Sequence, residues 1–332
     1  MLKTVPRRIL SLVISTTLLV GTATSYGIAQ SSVQFPAASQ TPFPGSSFGL
    51  QENAGLAAQT FNGNLFVWFR GDSTDSLGRA YMCGVEYNST MSCSQDGMPI
   101  SSGPGQLTVF KGLLYMAYAY SGTHQLVVCS SNTGLAFSCS LIANVYVADS
   151  PAIAVTPDGN ELDIAYQENN SDHYLGVAYS TDGATFTNKL SSTYKIGHTP
   201  AMTAFNGKLV IAAFCQCDSH YLDVYTSSGS GQISFLTENK ANTLANASPP
   251  SLVVANNVLV LGYIQNGSRY FQITTSYNGS TWTTPVRQTN LVSPWAGPAL
   301  AVYQNQLWLF YNPQGTSLGA RQLASSSTSL PY

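Results

Sequence analysis

The chain has 332 residues, and only 28 of them are charged, 13 basic and 15 acidic, which is 8% of the sequence against about 25% in an average globular domain. Apolar residues make up 44% and aromatic residues 11%, enough to bury a core, so the composition excludes a disordered chain. The formal net charge of −2 excludes a nucleic-acid binder that depends on phosphate contacts, because such a protein needs a basic face. The many uncharged polar residues predict a neutral polar surface, which suits sugars or cell-wall material.

Residues 1–29 have the three parts of a signal peptide. These parts are a basic start, an apolar run and a small-x-small cleavage site, and they lie at Lys3, Arg7 and Arg8, at residues 9–20 and at Gly27-Ile28-Ala29. A membrane anchor fits less well, because the apolar run has about 12 residues where a span needs about 20. We therefore expect cleavage before Gln30 and a secreted or periplasmic domain over residues 30–332, with no later membrane span.

Six cysteines in an exported chain predict disulfides. Cys83 and Cys93 are ten residues apart, as are Cys129 and Cys139, and each pair flanks a turn-rich segment. In a β-hairpin such positions face each other across two strands. We therefore expect the disulfides Cys83–Cys93 and Cys129–Cys139.

The other two cysteines lie in Cys215-Gln216-Cys217, with Asp218 and His220 just behind them. Cys-x-Cys-x-x-His offers soft metal ligands. One short cluster without a second half nevertheless favours a local disulfide or two buried thiols over a metal site. We expect neither a metal nor a cofactor.

An apolar segment, a tight turn and a second apolar segment with a leucine near its start occur six times along the chain. These leucines are separated by 49, 48, 47, 50 and 48 residues and are Leu65, Leu114, Leu162, Leu209, Leu259 and Leu307. Several of the turns before them are Asn-Gly or Asp-Gly, the strongest short-range signal for a β-hairpin. A repeat of this length indicates an architecture built from equivalent units.

Each copy predicts four short strands, as the third copy illustrates with strands at residues 151–155, 162–166 and 174–180 and a fourth that Phe186 opens. Four short strands repeated at this period, without helical periodicity, are typical of β-propeller blades. We predict an all-β fold, a six-bladed β-propeller of four-stranded antiparallel blades.

The sixth copy ends at Leu330-Pro331-Tyr332 without a fourth strand. Residues 33–37 follow the same pattern as residues 281–285, which open the fourth strand of the fifth copy. We therefore expect the N-terminal strand to pair with the last blade and close the propeller. Closure removes the sheet edges that would otherwise promote aggregation.

The turns Ser180-Thr181-Asp182-Gly183-Ala184-Thr185-Phe186 and Ser276-Tyr277-Asn278-Gly279-Ser280-Thr281-Trp282 resemble the Asp-box, or BNR repeat, of sialidase-like β-propellers. Degenerate copies occur at residues 130–137 and 227–231. The resemblance extends over residues 31–332 at the level of architecture. In that superfamily these turns are structural and lie on the face away from the ligand, so the resemblance implies a fold and not an activity.

On the opposite face, the loops between second and third strands and the linkers between blades hold many of the few charges. A basic residue recurs just before the third strand, at His124, His173, His220 and Arg269. One interpretation is a set of equivalent pockets for sugar hydroxyls or an anionic sugar. The other is that each side chain holds its own loop through a hydrogen bond to a backbone carbonyl. The candidate ligand-binding residues are Arg70, Asp72, His124, Asp172, His173, Asp218, His220, Arg269 and Trp295, with Tyr120, Tyr174, Tyr221 and Tyr270 as further stacking aromatics.

A sialidase-like glycoside hydrolase is the main alternative function. Sialidases use an arginine cluster, a tyrosine nucleophile backed by a glutamate, and an aspartate acid/base. Trp68-Phe69-Arg70-Gly71-Asp72 is only faintly similar to the first arginine motif, and no glutamate partner for a tyrosine is evident. The six predicted first strands contain no Asp or Glu, whereas other glycosidases use two carboxylates. We therefore expect recognition of a carbohydrate or another extracellular polymer without catalysis, with a protein-binding scaffold as a third possibility.

Overall fold

The computed structural model describes residues 33–36, 56–74, 80–86, 91–94, 105–215, 221–227, 237–244, 249–265, 270–289, 291, 297–311 and 324–331, in some strands the backbone alone. Every helix or strand among these residues is a β-strand, and none of them is in a helix that could cross a membrane. The predicted signal peptide lies outside the described residues and stays a prediction. The all-β prediction is confirmed.

The first two repeats form separate four-stranded antiparallel sheets, each in chain order. The first sheet consists of β1 Leu56–Phe61, β2 Asn64–Thr74, β3 Ala80–Glu86 and β4 Met91–Ser94. The second consists of β5 Leu107–Phe110, β6 Leu113–Ala119, β7 Gln125–Ser131 and β8 Ser138–Tyr146.

The third and fourth repeats share one seven-stranded sheet, again in chain order. Its strands are β9 Ala152–Val155, β10 Leu162–Gln167, β11 Tyr174–Ser180, β12 Thr187–Phe205, β13 Lys208–Cys215, β14 Tyr221–Thr226 and β15 Thr237–Leu244. The 19-residue strand β12 pairs with β11 in its first half and with β13 in its second. The expected loop between these two repeats is therefore replaced by continuous strand.

The fifth repeat forms a four-stranded sheet and the sixth a three-stranded sheet. Their strands are β16 Ser251–Ala255, β17 Val258–Ile264, β18 Phe271–Ser276 and β19 Val286–Arg287, then β20 Ala299–Tyr303, β21 Gln306–Tyr311 and β22 Ala324–Ser329. Among the described residues the last sheet has three strands, and the strand predicted to complete it from the N-terminal segment stays a prediction.

The first two strands of five repeats are joined by tight turns with two residues at positive φ, and in the third repeat Gly159 alone has a positive φ, of 76°. Asn62 and Gly63 have φ of 50° and 81°, and Asn206 and Gly207 have 49° and 73°. Two positive φ values are required by the hairpin turn that matches the twist of the strands. This explains the Asn-Gly pairs that marked the repeat in the sequence.

The hydrophobic core consists of six clusters, and each cluster lies between two consecutive repeats. Five of them join repeats one and two, two and three, three and four, four and five, and five and six. The sixth contains Leu56 and Val67 of the first sheet together with Ala301 and Phe310 of the last. The Thr60 hydroxyl of β1 also donates to the Val302 carbonyl of β20 at 2.6 Å. The first and last repeats are therefore packed neighbours.

Residues 33–36 are anchored between the fifth and the last repeats. The amide side chain of the buried Gln288 accepts from the Phe35 N–H at 2.8 Å and donates to the Val33 carbonyl at 3.0 Å. The Ser326 hydroxyl of β22 donates to the Pro36 carbonyl at 2.9 Å. Phe35 itself is fully buried in the cluster between these two repeats. The segment thus lies beside β22, the last described strand of the sixth repeat.

The Asp-box turns are closed by hydrogen bonds from the backbone. Ser180 Oγ accepts from the Gly183 N–H, and Asp182 Oδ1 accepts from the N–H groups of Ala184 and Thr185, each at 2.8 Å. These bonds stabilise the carboxylate and lower the pKa of Asp182 well below its ordinary value. Asn278 makes the equivalent bonds to Ser280 and Thr281 at 2.9 and 2.8 Å.

The glycine of each described Asp-box turn faces the preceding repeat. A Cβ atom at Gly183 would lie 2.2 Å from the Tyr115 hydroxyl, and one at Gly134 would lie 2.5 Å from the Phe66 ring. The Trp68 indole N–H also donates to the Gly134 carbonyl at 3.1 Å. These turns therefore join neighbouring sheets, which gives a physical reason for their glycines.

We predict that Gly183→Ala destabilises the protein by about 2–4 kcal/mol, because it combines a positive φ with overpacking against the buried Tyr115. Gly159→Ala is the matched control, since Gly159 has φ 76° but open space around it. It should cost only about 1 kcal/mol. Urea unfolding followed by circular dichroism measures both values, and equal losses would refute the packing role of Gly183.

A carboxyl group is buried in the sheet of the third repeat. The side chain of Asp163 on β10 is fully buried, with Oδ2 3.3 Å from Lys189 Nζ and with Oδ1 making no hydrogen bond among the described residues. Lys189 also pairs with Glu161. Burial raises the pKa of Asp163 to about 6, although the charge of Lys189 opposes this shift.

We predict that Asp163 makes the protein less stable as the pH rises from about 4 to about 6. The folded state binds this proton more tightly than the unfolded state does, so the contribution present at low pH, at most about 3 kcal/mol, is lost as the pH rises through the folded pKa. Asp163→Asn should flatten this part of the profile in urea unfolding. Asp158→Asn is the control with the opposite sign, because the hydrogen bond from Thr156 and those from Asn160 lower the pKa of Asp158. A wild-type profile that Asp163→Asn leaves unchanged would contradict the assignment.

Candidate functional site

A cavity of about 310 Å³ is lined by the first strand of every repeat, namely β1, β5, β9, the end of β12, β16 and β20. Its walls carry alanine, leucine, valine and threonine side chains with the amides of Gln59 and Gln106. None of the described lining residues is ionisable. This part of the wall offers backbone groups and neutral side chains to an occupant.

Gln106 crosses part of this cavity. Its side-chain oxygen accepts from the Met202 N–H at 3.0 Å, and its side-chain nitrogen donates to the Met202 carbonyl. One glutamine thus satisfies both backbone groups of a residue two repeats away. The side chain narrows the cavity, so a bulky ligand is disfavoured there.

The predicted basic positions before the third strands have one backbone geometry in the two repeats where they are described. His124 and His173 immediately precede β7 and β11 and have φ of 57° and 55°. The carbonyl of His124 accepts from the Val147 N–H at 2.7 Å, and that of His173 from the Ile196 N–H at 3.0 Å. In these two repeats the histidine therefore holds its loop through its backbone carbonyl, and among the described residues Nδ1 of neither ring makes the side-chain bond of the second interpretation.

The imidazole rings of His124 and His173 are half-buried in the same orientation. Nδ1 of each ring is buried and has no hydrogen-bond partner among the described residues. A ligand on this face would therefore meet the other edge of each ring. His220 and Arg269, the two remaining members of the set, lie outside the described residues.

Arg70 and Asp72 differ from the prediction that placed them in a loop. Both lie within β2, where Arg70 pairs with Met82 of β3 and the register shifts before Thr74. The strand continues because an irregularity in the pairing absorbs the polar residues. Burial lowers the pKa of Arg70. The side chain of Asp72 is not described, and Asp218 and Trp295 lie outside the described residues.

Two of the tyrosines predicted to stack on sugars are covered by cations from the fourth strand of their own repeat. The Arg287 guanidinium carbon lies 3.3 Å from the centre of the Tyr270 ring, and Lys195 Nζ lies 5.6 Å from that of Tyr174. Lys195 also pairs with Asp172 at 3.4 Å. Neither cation was predicted from the sequence. Each lies on the fourth strand of its repeat, which returns antiparallel beside the third strand.

An ion pair joins the starts of the third and fourth repeats. His198 Nδ1 lies 3.3 Å from Asp149 Oδ2, and Asp149 Oδ1 also accepts from the Ser150 N–H at 2.7 Å. The hydrogen bond to Asp149 raises the pKa of His198, while partial burial opposes the rise. The pair is partly exposed, so it responds to solvent pH.

We predict that Asp149→Asn lowers the pKa of His198, measured from the imidazole signals by NMR titration. Because the folded pKa is raised above 6.5, the pair stabilises the fold at acidic pH and loses this effect as the pH rises through the folded pKa. Asp172→Asn is the control, since Asp172 pairs with Lys195 and should leave His198 unchanged. An unchanged titration in Asp149→Asn would contradict the pairing.

The cysteine predictions are confirmed where they are described. Cys129 and Cys139 form a disulfide, with Cα atoms 4.0 Å apart on the paired strands β7 and β8. Cys83 and Cys93 occupy the same opposed register on β3 and β4, and their disulfide stays a prediction. Cys215 is disulfide-bonded, which removes its thiolate as a metal ligand. Among the described residues no cluster of three possible metal ligands occurs.

No protein-family model and no curated protein matches the sequence, but many solved structures match the fold. The phage phi92 endosialidase is 9% identical over 92% of this chain and 71% of its own, with a TM-score of 0.63. A Hadza microbial sialidase is 15% identical over 85% of this chain and 66% of its own, with a TM-score of 0.64. The Aleuria aurantia lectin, in complex with alpha-methyl-L-fucoside, is 12% identical over 85% of this chain and 96% of its own, with a TM-score of 0.57.

The structure therefore shares its fold with these sialidases, as the Asp-box resemblance predicted. At these identities the likeness concerns the fold alone. The chain spans about two thirds of the length of the sialidase and 96% of the length of the lectin.

Proposed function

We propose that this protein is an exported, six-bladed β-propeller that binds carbohydrate on its loop-bearing face without cleaving it. The ligand-binding residues in this proposal are those predicted from the sequence, with His124 and His173 as the described members of the repeated set. The disulfide between Cys129 and Cys139 supports export, because such bonds persist in oxidising compartments.

Six blades and closure are supported by the packing of the core. Each of the six repeats shares one cluster with the repeat before it and one with the repeat after it, and the first and last repeats share the sixth cluster. All six first strands line the same cavity. The anchoring of residues 33–36 at Gln288 and Ser326 supports the N-terminal segment as the missing strand of the last blade.

The composition of the central cavity is the observation that favours recognition over hydrolysis. A glycosidase needs two carboxyl groups about 5–9.5 Å apart around the scissile bond. The described residues of the cavity wall carry no carboxyl group, and the Gln106 side chain is held by two hydrogen bonds to the Met202 backbone. The solved structures of similar fold include sialidases and a lectin, so the fold is compatible with both hydrolysis and recognition. The two functions must therefore be distinguished by the residues of the site.

The alternative functions are a sialidase-like hydrolase and a scaffold for a protein partner. The hydrolase would have to use carboxylates of the loop-bearing face, such as Glu168, whose side chain accepts from Asn170 at 2.8 Å. The scaffold would use the same face without sugar specificity.

The deciding experiment combines a glycan array with hydrolysis assays on fluorogenic sialosides and other glycosides. We expect binding to a subset of glycans and no turnover. Hydrolysis of any glycoside would establish the hydrolase if substitution of a carboxylate on the loop-bearing face, such as Glu168, abolished it. Absence of glycan binding by the folded protein would refute the proposal and favour the scaffold.

We further predict that His124→Asn and His173→Asn together weaken glycan binding about tenfold. Asparagine tolerates the positive φ of these positions, so the fold should persist. Asn160→Ala, in a turn at the other end of the strands, is the control and should bind as the wild type does. Unchanged binding in the double variant would restrict these histidines to their backbone role.

A further inference from the structure

The outer strand of the second repeat crosses to the third repeat at its end. Val147 forms an antiparallel bridge with Glu168. The Asn169 N–H donates to the Tyr146 carbonyl at 3.2 Å, and the Ala148 N–H donates to the Gln167 carbonyl at 2.8 Å. Residues 146–148 therefore hold a short ladder to the loop that follows β10, and the seam between these two repeats is rigid.

This ladder places three uncharged side chains in one row. Gln125 lies opposite Tyr146 in the pairing of β7 with β8, and the bridge at Val147 places Asn169 opposite Tyr146 on the other side. Residues directly opposite each other in antiparallel strands project to the same face, with Cβ atoms about 5 Å apart. The row thus consists of an aromatic ring between two carboxamides.

The ring of Tyr146 is open, in contrast to those of Tyr174 and Tyr270 on this face. Its exposure is 49%, and among the described residues its side chain makes no hydrogen bond, ring contact or cation contact. Tyr174 and Tyr270 are covered by Lys195 and Arg287. Asn169 is exposed as well, while the Gln125 side chain is fixed by a bond to the Ile142 carbonyl at 3.1 Å.

We propose that Tyr146 and Asn169 form a binding subsite for an uncharged pyranose ring at the seam between the second and third repeats. This inference rests on the proposed carbohydrate recognition and assigns it a location and a ligand class. The electron-rich face of Tyr146 attracts the C–H groups of one sugar face. The Asn169 carboxamide donates to and accepts from neighbouring hydroxyls.

The charges around the subsite favour a neutral sugar over an acidic one. The row itself carries no charge, and Glu168, paired with Val147, alternates to the opposite face, where its carboxylate accepts from the Asn170 side chain at 2.8 Å. A sugar carboxylate would therefore find no arginine or lysine in the row to bind it. The subsite is therefore distinct in chemistry from a sialic-acid pocket.

The test uses affinity electrophoresis of the full-length folded protein in gels that contain galactomannan, xyloglucan or the acidic polygalacturonate. We expect retardation by at least one neutral polysaccharide and not by polygalacturonate. Tyr146→Ala should raise the dissociation constant about tenfold, Tyr146→Phe should keep most of the affinity, and Asn169→Ala should raise the constant about threefold to tenfold.

Tyr277→Ala is the matched control, because Tyr277 is also exposed, at 39%, but lies in an Asp-box turn at the other end of the strands. It should bind as the wild type does. Neutral-glycan binding that survives Tyr146→Ala, or stronger retardation by polygalacturonate, would overturn the subsite while leaving carbohydrate recognition in place. Absence of binding to every glycan by the wild type would overturn both.

Discussion

The second strands of the sheets are largely buried on both faces where they are described, and the fold depends on this constraint. In β10 every residue is buried, and alternate side chains belong to the clusters with the preceding and following repeats. A sheet of this kind needs a neighbour on each side, since either face exposed alone would leave a large apolar surface in water. The contact between the first and last repeats follows from the same need, and so does the insertion of Phe35 at the last seam.

This packing also determines where polar chemistry is possible. The first strands carry small neutral side chains because six of them share one cavity, and the buried residues of the second strands are mostly apolar. Among the described residues, ionisable groups therefore lie mainly towards the ends of the strands, with Asp163 and Asp223 as buried exceptions. On the loop-bearing face they form local pairs such as Asp149–His198 and Asp172–Lys195. The arrangement favours many weak contacts over one concentrated reactive centre, which agrees with recognition.

The repeat, the hairpin turns, the Asp-box turns and the Cys129–Cys139 bond could be predicted from sequence because each depends on residues close in the chain. The covering of Tyr270 by Arg287 could not, since it depends on how the fourth strand returns beside the third. Nor could the place of Arg70 within β2, because a register irregularity lets the strand continue through polar residues that would ordinarily mark a loop. Tyr146 was missed because it ends a strand that is mostly exposed, and only the bridge at Val147 shows its neighbour across the seam.

The continuous strand β12 has a consequence for how the chain tolerates change. Between the third and fourth repeats, the connection itself takes part in the pairing with β11 and with β13. An inserted peptide or a new pair of termini there would interrupt two ladders at once. Genetic rearrangement of the repeats should therefore be least tolerated at this junction, which makes the third and fourth repeats an inseparable pair in an otherwise modular molecule.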